Sequence, residues 1–141
     1  MNMRVMAVDP GTKHLGIAIS DPTGTIANPL TVLKHTSRLI DAAAIVNLAL
    51  EKDAAIIIIG QALSNNGEAT PQSRHALRLA EAIRTQTSTP VVLWDESGST
   101  QDARAARIAL GVSRQKRRGH MDDLAATVIL QSYLDSQLPN Q

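Results

Sequence analysis

Two short apolar runs open the chain, Met3 to Val8 and Leu15 to Ser20, with the turn residues Pro10-Gly11-Thr12 between them. Their length and composition predict two strands, and Asp21-Pro22-Thr23-Gly24 predicts a second turn into a third strand over Ile26 to Leu33. Three strands in close succession suggest an antiparallel meander. From Arg38 to Lys52 the spacing of Leu39, Ala43, Val46 and Leu50 predicts a helix that turns this stripe towards a sheet, with Thr36 and Ser37 as candidate caps.

Ala54 to Ile59 is continuously apolar and rich in β-branched residues, the pattern of a central strand covered on both faces; it ends at Gly60. A polar loop with Ser64-Asn65-Asn66-Gly67 leads to a helix from about Gln72 to Thr85, with Ala76, Leu79, Ala80 and Ile83 on its inner side. A further buried strand follows in "PVVLWDE". Ser99 and Asp102 stand at capping-box spacing and predict a helix to Leu110, stopped at Gly111. After the loop "GVSRQKRRGH", "MDDLAATVILQSYLDSQL" reads as a long final helix. The order is that of an α/β domain: a mixed five-stranded sheet with helices on both faces and the meander at one edge.

Composition narrows what such a domain can do. The 141 residues suit one domain, taken here as residues 1–141, and the net charge of +1 leaves any preference for polyanions to local clustering. The absence of cysteine excludes disulfides, thiolate zinc sites and cysteine nucleophiles, so a metal would be held by oxygen or imidazole. Trp94 and Tyr133 are the only aromatic side chains, which argues against modules that stack bases on rows of rings. With no signal-peptide core and no apolar segment of membrane-spanning length, a soluble cytoplasmic protein is the expectation.

Against this background the acidic residues stand out. Asp9 directly follows the first apolar run, Asp95-Glu96 ends the last strand, and Asp122-Asp123 opens the final helix. In open α/β sheets functional groups gather at the carboxyl ends of strands, where Asp9 and Asp95-Glu96 both lie. Carboxylates without cysteine are a natural ligand set for Mg²⁺ or Mn²⁺. Two such ions about 3.5–4 Å apart activate water and stabilise the leaving oxygen in phosphodiester cleavage. Each acid also has a plainer explanation: acids in a first helical turn gain about 0.3–1 kcal/mol from the macrodipole alone, and acids just past a strand often only solvate a turn. The turn Asp9-Pro10-Gly11-Thr12 further resembles the phosphate-holding turn of actin, sugar kinases and heat-shock ATPases, a class built of two such lobes; this chain has one copy and too little length for a second.

Taken together, "VDPGTKHLGIAISD", "PVVLWDE" followed by Ser99-Thr100, and "MDDLAATVILQSYLD" resemble the YqgF family, also called RuvX, over Met3 to about Asp135. That family is similar to Holliday junction resolvases and shares their RNase H-like (RuvC-like) fold. The resemblance implies a metal-dependent nuclease acting in processing of the 5′ end of pre-16S rRNA, with Holliday junction cleavage as the older proposal. It implies that Asp9, Glu96 and Asp122 are the catalytic residues and hold one or two Mg²⁺ or Mn²⁺ ions, with Asp95 and Asp123 in reserve. The chain departs from the family pattern where Ser97-Gly98 stands for Arg-Leu, Gln61-Ala62 for Leu-Pro, and Asn66 for Asp before Gly67.

Basic residues supply candidates for phosphate contacts. "SRQKRRGH" gathers Arg114, Lys116, Arg117, Arg118 and His120 just before Asp122, and a short basic run of this kind is otherwise a solvated loop. Thr12 and Lys13 follow Asp9 in its turn, and Arg74 resembles a basic position of the family. The four histidines show no shared metal-ligand spacing. The expected partner is nucleic acid, RNA before branched DNA, bound by a monomer or homodimer. A non-catalytic nucleic-acid-binding or ribosome-assembly factor is the reading from a different class.

Overall fold

The computed structural model describes residues 3–96 and 121–138, with the side chains of residues 121–123 excepted. The helix expected from Ser99 to Leu110 and the basic loop after it lie outside the described residues. Five strands, β1 (Val5–Pro10), β2 (His14–Ser20), β3 (Ala27–Lys34), β4 (Ile56–Gln61) and β5 (Val91–Asp95), combine with α1 (Arg38–Glu51), α2 (Pro71–Arg84) and α3 (Met121–Ser136). The strands form one sheet in the order β3-β2-β1-β4-β5. The expected meander is there: β1 pairs antiparallel with β2, and β2 with β3. Strands β4 and β5 then add in parallel to the far side of β1.

The two-residue period of a strand sorts its side chains between two layers. Met6 and Val8 of β1, Ile57 and Ile59 of β4 and Val91 of β5 pack in one cluster with Ala42 and Ile45 of α1 and Leu79 and Ile83 of α2. Val5 and Ala7, Ile58, and the partly buried Val92 and Trp94 fall on the other face, against Ala126, Ile129, Leu130 and Leu134 of α3. Strand β4 carries isoleucine on both faces, which is why its sequence reads as an unbroken apolar run.

Local chemistry fixes the element ends. Ser37 caps α1 by accepting the Ile40 amide. Thr70 and Ser73 form a reciprocal capping box at α2, with Pro71 supplying the first helical residue. At the turn before β3, the Asp21 carboxylate accepts the amides of Thr25 and Ile26, each at 2.9 Å, and the Thr23 hydroxyl. Those bonds hold its pKa well below the usual carboxylate range.

The buried stripe of α1 differs from the expected one. Leu39 and Leu50 are 67% and 65% exposed, while Asp41, Ala42, Ile45, Val46 and Ala49 face inward. This helix is apolar around most of its circumference, so two stripes satisfy the 3.6-residue period equally well. The small side chains Ala42 and Ala49 permit close approach, and Asp41 is drawn inward by its bonds to the Thr36 amide and the His35 ring. Ile45→Ala is therefore expected to cost about 2–5 kcal/mol. Leu39→Ala should stay within about 0.5 kcal/mol, a contrast that urea unfolding of both variants measures.

Candidate functional site

Asp9 is the fifth residue of β1 and stands opposite Gly16 of β2. Being two residues beyond Ala7, it shares the sheet face that α3 covers. The chain turns sharply just after it. A β-carbon on Gly11 would lie 2.3 Å from the His14 carbonyl oxygen, so only glycine fits.

Glu96 immediately follows β5 and extends its ladder, donating its amide to the Gln61 carbonyl at 2.7 Å. Its side chain lies over the neighbouring strand. A β-carbon on Gly60 would come within 2.9 Å of Glu96 Oε2 and 2.7 Å of Ile129 Cδ1. The missing side chain of Gly60 is therefore filled jointly by the Glu96 carboxylate and by Ile129 of α3. Because Val8 pairs with Ile59, Asp9 and Gly60 are next in register on adjacent strands, whose axes lie about 4.8 Å apart. The two acids thus share one face and one level of the sheet.

The third acid enters from α3. Ile129 sits against Gly60 near the carboxyl end of β4, whereas Tyr133, Leu134, Gln137 and Leu138 line a cavity of about 280 Å³ with Met3, Val5 and Ile56 at the opposite end. The helix therefore runs with its first turn towards the carboxyl ends of β1 and β4. Asp122 precedes Ile129 by seven residues, about 10 Å along the axis, which brings its backbone to the end of the sheet where Asp9 and Glu96 lie. Among the described residues no three His, Asp or Glu side chains converge as a metal site; the side chains of Asp122 and Asp123 fall outside that set.

The structure separates the adjacent acids Asp95 and Glu96. Asp95 has the strand parity of Val91 and Leu93, on the α1–α2 face, and its Oδ1 accepts the Leu63 amide at 3.4 Å. Glu96 is on the α3 face with Oε2 buried. Burial raises the pKa of Glu96, and the negative charge of Asp95 raises it further. A carboxyl disfavoured as an anion by its surroundings is what a bound cation would reverse, and carboxylate oxygen is the donor that Mg²⁺ and Mn²⁺ take. The residues present fit such an ion.

Thr12 and Lys13 are exposed in the β1–β2 turn, at the same sheet end as Asp9. Arg74 is exposed in the first turn of α2, whose start is tied to the end of β4 by Gln72 Oε1 accepting the Ala62 amide at 2.6 Å. It lies at this end of the sheet but on the opposite layer from α3. Lys116, Arg117 and Arg118 lie outside the described residues. Sequence reasoning treated Gly60 only as the end of a strand; a glycine closing a β-branched run is the signal that a close approach occurs there.

Comparison with known proteins bears on this arrangement. The RuvX family, described as Holliday junction resolvase, matches residues 3–136. A protein of Thermoanaerobacter pseudethanolicus, provisionally named pre-16S rRNA nuclease, is 41% identical over 136 residues, or 96% of this chain and 98% of its own length. One of the same name from Geobacillus kaustophilus is 43% identical over 140 residues, 96% and 99% of the two chains. Among solved structures, T. thermophilus RuvC in complex with a Holliday junction substrate matches with a TM-score of 0.61 at 18% identity, covering 95% of each chain. Fowlpox virus resolvase with Holliday junction DNA matches at 0.56 and 17%, covering 96% of this chain and 99% of its own. The fold is the RNase H-like, RuvC-like one expected.

Two stability experiments probe the carboxylate over Gly60. Gly60→Ala should cost about 1–3 kcal/mol by overpacking, with part recovered on adding Ile129→Val, which removes the nearer clashing atom. Because the folded-state pKa of Glu96 lies above its ordinary value of 4.5, the folded protein binds more protons than the unfolded one between those two pKa values. Stability contributed by this group therefore falls as pH rises through that window. In EDTA, Glu96→Gln should melt above the parent at neutral pH and lose that advantage below the unfolded pKa; a melting difference independent of pH would reject the burial argument.

Proposed function

The chain belongs to the RuvX family, and on that premise we propose that it is a nuclease hydrolysing phosphodiester bonds with Mg²⁺ or Mn²⁺ held by Asp9, Glu96 and Asp122. The observation that carries this reading is the half-buried Glu96 carboxylate, its Oε2 lodged over Gly60 on the face and at the level that Asp9 shares. One or two bound ions would polarise the scissile phosphate and generate a nucleophile from water near neutral pH.

The chain's own residues do the positioning. Gly60 and Ile129 restrict the Glu96 side chain, so its oxygens are held in place before any ligand arrives. Asp9 gains rigidity from a strand paired on both sides, with β2 and with β4. Asp122 would complete the set from the opposing helix. Thr12 and Lys13, exposed in the turn after Asp9, would hold non-bridging phosphate oxygens. Arg74 and the run Lys116, Arg117 and Arg118 would bind flanking backbone.

RNA is the favoured substrate, with 5′-end processing of pre-16S rRNA supported by the names of the relatives, a role that fits the cytoplasm. A second reading, cleavage of branched DNA, draws on the family description and the fold shared with RuvC. It would require a symmetric dimer to cut two related strands.

Labelled RNA, single-stranded DNA and a four-way junction, each offered in Mg²⁺, Mn²⁺ or EDTA, separate the readings. RNA should be cut with metal and left intact in EDTA. Asp9→Asn and Asp122→Asn, with unchanged circular dichroism, should each slow cleavage at least about a hundredfold, since even outer-shell changes at metal sites cost 10–100-fold. Cutting by Asp9→Asn at the parent rate would overturn the assignment, and binding without cleavage in Mn²⁺ would favour the non-catalytic factor.

A further inference from the structure

Beside Arg74, already assigned to flanking backbone, the α1–α2 layer carries two exposed arginines that the cleavage site does not use, Arg38 and Arg78. His35, just after β3, donates its amide to the Lys13 carbonyl at 2.9 Å, and its ring meets that of His75 on α2 edge to face, 6.4 Å between centroids. Protonation of His75 is disfavoured first by burial and then by the neighbouring His35, Arg38 and Arg78, with Asp41 opposing them. Arg74 stands one residue before His75 on α2, and Arg38, Arg74 and Arg78 are all exposed. The strands β3 and β4 deliver α1 and α2 at their carboxyl ends, so the group reaches the sheet end that holds Asp9.

The acid inside this group, Asp41, offsets part of its charge from beneath the surface. Asp41 is buried and accepts the Thr36 amide and the His35 ring. Among the described residues, Arg38, Arg74, Arg78 and Lys13 make no ion pair, and neither do Glu68 and Glu81, the acids that flank Arg74 and Arg78 in the chain. Gathering like charges without partners opposes folding. A phosphodiester backbone relieves that repulsion, and arginine forks match phosphate oxygens bidentately.

We propose that Arg38, Arg74 and Arg78, with Lys13 at the rim, form a second backbone-binding track, over which a nucleic-acid strand continues from the cleavage site across the carboxyl end of the sheet onto the α1–α2 layer. The proposal rests on the nuclease reading and extends it: substrates must be longer than the scissile dinucleotide, and the track holds them without reading sequence.

The test uses the full chain carrying Asp9→Asn, so that binding is measured without cleavage. Affinity for a labelled single-stranded RNA is followed against salt concentration, for this parent and with Arg38→Gln and Arg78→Gln added. Each lost phosphate contact should lower the slope of log affinity on log salt by about 0.7, so the added pair should flatten it by about 1.4, equally for RNAs of unrelated sequence. Lys52→Gln, at the far end of α1, is the control for net charge and should leave the slope unchanged. In the chain with an intact Asp9, the same pair should raise KM for the long RNA while leaving cleavage of a dinucleotide as it was. A slope unchanged by the pair, in a parent that binds RNA, overturns the track and leaves the nuclease reading standing; a parent that binds no nucleic acid overturns both.

Discussion

The Glu96 carboxylate can lie over the sheet because Gly60 beneath it has no side chain. That one absence connects three elements: β5, which carries Glu96; β4, which carries Gly60; and α3, whose Ile129 fills the other half of the same space. Ladder geometry extends the constraint to β1, where Asp9 stands level with Gly60 on the same face. The cost of burying a carboxyl appears as a raised pKa. Sites that hold a charge in an unfavourable setting are where proteins store interaction energy for a ligand.

The rest of the fold keeps that arrangement rigid. The site strands β1 and β4 lie inside the sheet, β1 flanked by β2 and β4. Below them α1 and α2 pack a continuous aliphatic layer, and above them α3 lies across β1, β2 and β3 and reaches β4 through Ile129. Its Gln131 amide bonds to Thr25 and Ala27 at the start of β3, each at 3.0 Å, and so fixes how far the helix slides along the sheet. The position of Asp122 at the site end follows from that anchor.

The two layers divide the work. The α3 face carries the acids proposed to act on the scissile phosphate, and the α1–α2 face presents arginines that, among the described residues, make no ion pair. Both open at the carboxyl end of the sheet, where every connection from strand to helix begins. A strand of nucleic acid can therefore meet negative and positive groups within one sheet edge without either layer giving up its packed interior.

The sequence by itself determined the elements and the acids. Strand and helix periods were legible because burial imposes a period of 2 or 3.6 on apolar residues, and Asp9 was conspicuous because a charge at the end of an apolar strand has few structural reasons to be there. Only the tertiary structure decided which face each residue takes. It decided that Glu96 rather than its neighbour Asp95 faces α3, chose Ala42 and Ile45 over Leu39 and Leu50 as the inner side of α1, and joined His35 to His75 across forty positions. Those choices depend on pairing register and on which small side chains allow close approach. Both are set by partners distant in sequence, so no local pattern contains them.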